Sequence, residues 1–259
     1  MGCHRHAGPA TRRSLHDHRR NHTMTFTIVA REKESGLLGI AQSTNPLSVG
    51  ARCPFIRANV GAVSTQAYTD PGLGPLAIEL LSLGYAPEKV MAEIGASDAG
   101  FAYRQIGMVD RHGRVAVHTG AEAKQHKGAL TGDGYVVMGN LLGSAQVLPD
   151  MERAWRDSAG ELFEERLMRV ITAGRDAGGD AGGHRSACLI VYDTEPYGRT
   201  DLRVDFAPKR AGEPDAVDLL RRAFDQYKPM IPYYKVRPHN PSMIGWIDWL
   251  KTQGIDFKD

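Results

Sequence analysis

A threonine directly follows an internal methionine at positions 24 and 25, just ahead of the apolar stretch 26–31. Initiation at Met24 and removal of that methionine would leave Thr25 with a free α-amine. An α-amine has a pKa of about 8 and can accept the hydroxyl proton near neutral pH, so that nucleophile and base lie on one residue. The pattern predicts a nucleophilic Thr25; the alternative is a threonine that only begins an edge strand.

Three further polar residues have the chemistry to serve such a nucleophile. Asn140 ends a predicted strand, where its amide could donate to a developing oxyanion or simply occupy a turn. Arg104 could clamp a substrate carboxylate through two N–H groups, or it could pair with a nearby acidic residue. Gln66 could donate to a substrate, or it could cap the end of its strand.

Asp180 lies in the loop 177–183, in which four of the seven residues are glycine. Its carboxylate could hold the α-ammonium of Thr25, orient Arg104 or bind a substrate amine; the alternative is a flexible connection between a helix and a strand. Cys53 is the rival nucleophile, because the adjacent Arg52 would favour its thiolate. Most cysteines in such positions are packing residues.

Composition and charge exclude several classes of function. The chain has 259 residues and 42% hydrophobic content, enough for a sizeable core. Residues 1–23 contain five arginines against one aspartate, a net charge of +4, which leaves −2 for residues 24–259. The body therefore has no basic excess for nucleic acid. No apolar run is long enough for a secretory signal or a membrane span, and three scattered cysteines do not suggest disulfides. We expect a cytoplasmic protein.

The order of predicted elements indicates the fold. Strands occur in groups, separated by pairs of helices, rather than alternating singly with helices. The stretches 27–31 and 37–42 form one predicted hairpin, and 105–110 and 114–118 form another. Grouped strands favour antiparallel sheets. We predict an α+β fold, a four-layer αββα sandwich of two mainly antiparallel sheets with helices outside.

The chain divides into three predicted segments. Residues 1–23 are a basic, histidine-rich leader, which we expect to be disordered and upstream of the true start. Residues 24–228 form one domain. Residues 229–259 form a tail rich in proline and aromatic residues, expected to be extended and docked on the domain through its aromatic rings. The part from Tyr233 to Trp249 is a candidate surface for association with a partner, including a second copy of the chain in a homo-oligomer.

Six segments carry a resemblance to a known family: residues 25–31, 60–67, 104–107, 139–142, 177–180 and 201–205. From Met24 to about Tyr227 the chain resembles the DUF1028 family, which is grouped with the N-terminal nucleophile (Ntn) hydrolases. The resemblance implies the αββα fold and hydrolysis of a carbon–nitrogen bond in an amide. Relatives often carry Gln before the serine at position 186, so Arg185 is a departure that would add a positive contact for the substrate.

The resemblance also shows departures from well-understood Ntn hydrolases. Gln42 and Ser43 stand where an aspartate would be expected, and Arg52-Cys53-Pro54 stands in place of a lysine. We predict a hydrolase that acts on an amide or related C–N bond of a small anionic metabolite, without cofactor or metal. One alternative is an inactive domain of the same fold that binds a metabolite or serves in an assembly. Another is a deaminase that activates water through groups such as Asp180 and does not use the N-terminal amine.

Overall fold

Two antiparallel sheets form the centre of the computed structural model, which describes residues 25–123, 126–210 and 212–255. The strands are β1 (Thr25–Arg31), β2 (Leu38–Thr44), β3 (Pro54–Arg57), β4 (Gly61–Ala67), β5 (Arg104–Asp110), β6 (Val115–Thr119), β7 (Gly128–Gly132), β8 (Tyr135–Asn140), β9 (Ser186–Tyr192) and β10 (Thr200–Val204). The helices are α1 (Val49–Arg52), α2 (Leu73–Ser82), α3 (Pro87–Ser97), α4 (Val147–Asp157), α5 (Phe163–Asp176), α6 (Ala216–Tyr227), α7 (Ile231–Val236) and α8 (Trp246–Thr252). The predicted leader lies outside the described residues.

Strand β1 lies in the middle of the larger sheet. That sheet has six strands in the order β10-β9-β2-β1-β8-β7, and the smaller one has four in the order β3-β4-β5-β6. Every pairing within them is antiparallel. The first residue of β1 is therefore flanked by the last residues of both β2 and β8.

The alternation of side chains along β1 creates two different packing layers. Phe26 and Ile28 are fully buried and face the helices α4 and α5, where they contact a cluster that includes Met151 and Leu167. Val29 points the other way and packs between the sheets with residues of β2, β4 and β5. Helices α2 and α3 cover the outer face of the smaller sheet. The predicted four-layer αββα sandwich is confirmed.

Helix α5 packs closely on the larger sheet through the apolar stripe that the sequence indicates. Phe163 and Leu167 are buried at helical spacing on one face of the helix. A Cβ atom at Gly39 of β2 would lie 2.6 Å from Leu167 Cδ1 and 2.7 Å from Phe163 Cε1. Glycine is required at this position because the helix leaves no room for a side chain.

Two strands were not expected from the sequence. The short β3 begins with Pro54, and β7 has the sequence Gly-Ala-Leu-Thr-Gly, which lacks the β-branched alternation typical of strands. Both lie at the edge of a sheet. At an edge, pairing with a single well-formed neighbour is enough to hold a segment of low intrinsic strand propensity.

The tail is helical, so the prediction of an extended conformation is wrong. It forms α7, α8 and short 3₁₀ turns, and Met230, Tyr233 and Leu250 make a small apolar cluster of their own. Ile231 joins the core beneath the larger sheet. The prolines occupy the first turns of these short helices, where the missing N–H is tolerated. Within the described residues, no helix is both long and apolar enough to span a membrane.

Candidate functional site

Thr25 lies at the start of the central strand β1, where the ends of four strands of the larger sheet meet. It pairs with Thr44 on β2 and with Asn140 on β8, while Thr44 in turn pairs with Ser186, the first residue of β9. The Thr25 hydroxyl is 3.1 Å from the Thr44 hydroxyl, within hydrogen-bonding distance. This contact holds the side chain of Thr25 in one orientation. The residue is largely buried, with 5% of its surface exposed.

Thr25 opens onto a cavity of about 470 Å³, a size typical of small-molecule sites. The cavity is lined by apolar residues together with hydroxyl groups and two arginines. Its lining residues are Thr25, Thr44, Pro46, Leu47, Val49, Arg52, Cys53, Ala67, Tyr68, Thr69 and Arg104. Among these described lining residues none is Asp, Glu or Lys. The cavity is therefore suited to an anionic molecule with an apolar part.

Arg104 lines this cavity, but other groups of the protein hold its guanidinium. Its Nε donates to Asp98 at 2.9 Å, an Nη atom donates to the carbonyl of Tyr68, and Asp70 lies at 4.0 Å. The hydrogen bond from Arg104 lowers the pKa of Asp98 and raises that of Arg104 itself. The predicted carboxylate clamp would have to compete with two acids, so Arg104 is placed to hold the end of β4.

Arg52 is the second cation of the cavity. It is the last residue of α1 and is exposed. Within the described part of the chain, no carboxylate lies within 4.0 Å of its guanidinium. An arginine without an internal partner can give both of its N–H edges to a ligand, which makes Arg52 better placed than Arg104 to bind an anion.

Below Thr25, buried amides form a network between the two sheets. Gln105 is its centre: the Oε1 atom accepts from Gln66 at 2.8 Å and from Asn140 at 3.1 Å. Its Nε2 atom lies 2.9–3.0 Å from the Thr119 hydroxyl and from two backbone carbonyls. Gln66 also accepts from Thr27 at 2.6 Å. These residues are buried and uncharged, so the network fixes the sheets against each other beneath the cavity.

The network determines the roles of two predicted site residues. Neither Gln66 nor Asn140 is among the residues that line the cavity. Gln66 Nε2 lies 3.4 Å from the backbone carbonyl of Thr25, a long contact, while its main partner is Gln105. One N–H of the Asn140 amide is likewise used by Gln105. Both residues support the strand that carries Thr25 from behind.

Asp180 lies near the same sheet edge but outside the cavity lining. Its carboxylate accepts from the backbone N–H groups of Asn45 and Gly182, each at 2.6 Å. Burial raises the pKa of Asp180 to about 7, although both N–H groups and the charges of His184 and Lys209 act to lower it. The contacts of its carboxylate are thus with the loop itself and with the residue that follows β2, rather than with Thr25 or Arg104.

His184 and Asp215 extend the Asp180 loop toward α6. The Asp180 N–H lies 3.1 Å from His184 Nε2, and His184 Nδ1 lies 2.9 Å from Asp215 Oδ2. Asp215 also caps α6 by accepting from two backbone N–H groups. Burial alone would raise the pKa of Asp215, but these hydrogen bonds and the charges of His184 and Arg175 lower it.

Arg185 does not reach the cavity. Its guanidinium lies over the ring of Phe206 at 5.2 Å, a cation–π contact. Its backbone joins neighbouring segments instead: the N–H donates to the Thr44 carbonyl, and its own carbonyl accepts from Ala207. The predicted contact of Arg185 with a substrate has no support from this position.

Cys53 lines the cavity, but its environment disfavours a thiolate. The residue is buried, and this burial raises its pKa to about 11. Its sulfur lies 3.8 Å from the Thr69 hydroxyl, and the charge of Arg52 lowers the pKa by less than burial raises it. A catalytic cysteine needs a lowered pKa, so the geometry favours Thr25 over this rival nucleophile.

The backbone around the cavity is strained. Three of the five described non-glycine residues with positive φ surround the site: Ser48 (φ 56°), Ala67 (φ 68°) and Leu141 (φ 53°). Such conformations are rare for residues with a Cβ atom and tend to occur at functional sites. The concentration of strain here is an independent sign that this sheet edge is the functional part of the molecule.

Of the six predicted site residues, the structure brings only Thr25 and Arg104 together at the cavity. Sequence reasoning assigned no role to Gln105, although the polar Arg104-Gln105 pair at the start of an apolar strand was a usable signal. It also noted Arg52 only as a neighbour of Cys53. No three His, Cys, Asp or Glu side chains converge as metal ligands anywhere in the described ranges.

Comparison with known proteins identifies a family and similar solved structures. The family described as "Family of unknown function (DUF1028)" matches residues 25–213. Protein SPO2555 from Silicibacter pomeroyi, a solved structure described with the same family, is 29% identical, with a TM-score of 0.71 over 79% of this chain and 89% of that chain. Anbu, the ancestral beta-subunit from Yersinia bercovieri, is 10% identical, with a TM-score of 0.39 over 85% and 98%. No curated protein matches.

Proposed function

The chain belongs to the DUF1028 family, and we propose that it is an Ntn-type hydrolase that cleaves an amide or related C–N bond in a small anionic molecule. The observation that carries this proposal is the position of Thr25. It is the first residue of the central strand β1, and it lines a cavity that also contains two arginines. A nucleophile, apolar side chains and cationic groups are thereby gathered at one site.

In the proposed reaction Thr25 is the N-terminal residue. Its hydroxyl oxygen attacks the carbonyl carbon of the bound amide while the α-amine takes the hydroxyl proton. The C–N bond then breaks, the α-ammonium returns the proton to the leaving nitrogen, and an ester to Thr25 remains. Water, deprotonated by the same amine, attacks the ester and releases the acid. No external oxidant or cofactor is needed for this sequence.

The surrounding residues have supporting roles in this scheme. Thr44 holds the Thr25 hydroxyl at 3.1 Å and can orient its lone pair toward the substrate. Arg52 supplies a cation for the anionic group of the substrate, and Arg104 keeps the chain at Tyr68 in place. Asn140 is not part of the cavity lining, so in this scheme its amide supports β1 through Gln105 rather than binding the oxyanion directly.

A second candidate function is binding without catalysis. The cavity lining contains no Asp, Glu or Lys among the described residues, so the usual partners of an N-terminal nucleophile are missing from it. Thr25 is also 95% buried. A domain of this kind would bind a small anion through Arg52 and leave it unchanged. The alternative of deamination at Asp180 has less support, because that carboxylate lies outside the cavity lining.

The substitution Thr25→Ala separates the two candidates. The test uses chain expressed from Met24, with removal of the methionine verified by intact mass, and a panel of N-acyl amino acids as substrates. If the protein is the proposed hydrolase, Thr25→Ala should lower turnover by at least about 10³-fold, whereas Thr25→Ser should retain part of the turnover. Thr131→Ala, on the exposed strand β7, is the matched control.

Two results would count against the hydrolase. Turnover that is unchanged in Thr25→Ala removes this residue from the mechanism. Binding of the panel compounds with no turnover in any form that begins at Thr25 favours the binding function instead. Mass spectrometry of a quenched reaction adds a direct check, because an ester on Thr25 adds the mass of the acyl group.

A further inference from the structure

A second cavity lies between the β9–β10 connection and the C-terminal helices. Its volume is about 410 Å³, again sufficient for a small molecule, and it shares no lining residue with the first cavity. Five of its lining residues come from α6 and the tail, beyond residue 213, where the family match ends. The cavity is thus built partly from residues that lie outside the matched range.

The walls of this cavity are aromatic. Tyr227 and Tyr234 stack with ring centroids 5.6 Å apart and an angle of 20° between the rings. The Tyr227 hydroxyl donates to the Arg199 carbonyl at 2.9 Å, which fixes the pair against the β9–β10 connection. Tyr197 and Tyr234 are 43% and 45% exposed. Large aromatic faces are therefore available to a ligand at little cost in side-chain ordering.

Arg199 and Glu195 also line the cavity, and both have contacts within the protein. Arg199 donates to Glu164 at 2.8 Å, and Glu164 is fully buried, so the charge of Arg199 is satisfied there. Glu195 Oε1 lies 3.5 Å from His239 Nε2. These contacts hold the walls of the cavity in position.

Asp193 and Lys235 are the remaining charged groups of the lining. Asp193 is half-buried and held in place, because one of its oxygens accepts from the Glu195 N–H at 3.0 Å. Lys235 is exposed on α7. Over the ranges that the structure describes, neither of them has an ion-pair partner within 4.0 Å. The cavity thus presents one free negative charge and one free positive charge beside aromatic faces.

We propose that this second cavity binds a zwitterion of the amino-acid class with an aromatic or apolar side chain. The ammonium group pairs with Asp193, the carboxylate pairs with Lys235, and the side chain lies against the tyrosine rings. A ligand with one charge leaves the other charged residue without a partner. This site is independent of Thr25 and of the chemistry proposed there.

Three probes with the same phenyl body test the charge requirement. L-phenylalanine carries both charges, phenethylamine only the positive one, and 3-phenylpropionate only the negative one. Calorimetric titration of the full chain is expected to give a dissociation constant for L-phenylalanine about fivefold lower than for either single-charge compound, the ratio typical of one partly exposed ion pair. Equal affinities for the three compounds, or no binding of any of them, would overturn the proposal.

Two substitutions assign the charges. Asp193→Asn should weaken L-phenylalanine and phenethylamine about fivefold and leave 3-phenylpropionate unchanged, whereas Lys235→Gln should weaken L-phenylalanine and 3-phenylpropionate and leave phenethylamine unchanged. Lys89→Gln, on α3 and outside both cavities, should not alter L-phenylalanine binding. Thermal unfolding of each variant controls for the fold. If both substitutions affect all three compounds equally, or if Lys89→Gln weakens binding as much as Lys235→Gln does, the ligand is not held as proposed.

Discussion

The polar residues below Thr25 are uncharged amides and hydroxyls, whereas those at the neighbouring end of β9 are ionisable. The amide network is fully buried, and Gln105 alone serves two donors and three acceptors. The cluster of Asp180, His184 and Asp215 lies in a glycine-rich loop and at the start of α6. Both regions border the strand ends around Thr44, yet only the second can respond to pH.

The difference has a physical reason. Amides between two sheets satisfy each other without carrying charge into a region of low dielectric constant, where an isolated ion would be very unfavourable. A carboxylate at the loop can be tolerated because backbone N–H groups reach both of its oxygens. The first region therefore supports Thr25 through uncharged groups whose state does not change with pH, and the second makes the neighbouring loop sensitive to protonation.

The largest expected effect comes from breaking the amide network at its centre. Gln105→Leu leaves the amides of Gln66 and Asn140 without their shared acceptor and removes the NH2 group that contacts the Thr119 hydroxyl and two backbone carbonyls. Each buried group left unpaired costs about 1–3 kcal/mol. We expect the free energy of unfolding to fall by about 5 kcal/mol, measured by urea denaturation, with no dependence of this loss on pH.

A surface glutamine provides the control for that substitution. Gln146, just before α4, is exposed, and its side chain donates to Asp150 at the surface, so Gln146→Leu should change stability by less than about 0.5 kcal/mol. If Gln105→Leu costs no more than this control, the network is not the support described. The double variant Gln105→Leu/Asn140→Ala should lower the free energy of unfolding by less than the sum of the two single effects, because the two residues share one hydrogen bond.

An intermediate effect is expected from titration of Asp180. Its folded-state pKa of about 7 lies above the ordinary value of 3.8. The folded protein therefore retains a proton that the unfolded chain releases above about pH 4. As the pH rises from 4 to 7 the free energy of unfolding should decrease, by an amount on the order of 3 kcal/mol. Chemical denaturation across this range measures the decrease.

The matched variant for this titration is Asp180→Asn, which cannot ionise. The difference in stability between the two proteins removes the contributions of all other titrating groups. We expect the variant to lack the decrease between pH 4 and 7 while Gln105→Leu retains it. Parallel pH profiles for wild type and Asp180→Asn would show that the Asp180 carboxyl group does not titrate in this range.

Much of the fold could be predicted from the sequence because its signals are local. The apolar spacing in α5 and the turn between β1 and β2 depend on residues close together in the chain. The grouping of strands then predicted the αββα layers without any contact information. The edge strands β3 and β7 were missed because their own residues have low strand propensity and pairing with a neighbour decides their conformation.

The candidate site was harder to predict because its contacts are between distant segments. Thr25 could be identified from one dipeptide, and the structure places it at a cavity. The hydrogen bonds of Arg104 are made to Asp98 and to the carbonyl of Tyr68, which only the folded chain brings together. The role of Gln105 depends on the packing of β5 against β8, which belong to different sheets. No local sequence pattern predicts that packing.

The smallest expected effect concerns Asp215, which contacts the same histidine as Asp180 but has a pKa shifted the opposite way. Its lowered pKa means that its contribution to stability is present above about pH 4 and is lost as the pH falls through the folded-state value. Asp215→Ala removes the cap of α6 and should cost about 1–2 kcal/mol at pH 7, with a smaller loss in acid. Asp215→Asn keeps a capping oxygen and should lose roughly half as much. A loss for Asp215→Ala that grows as the pH falls would contradict this assignment, because the two carboxylates around His184 would then titrate in the same direction.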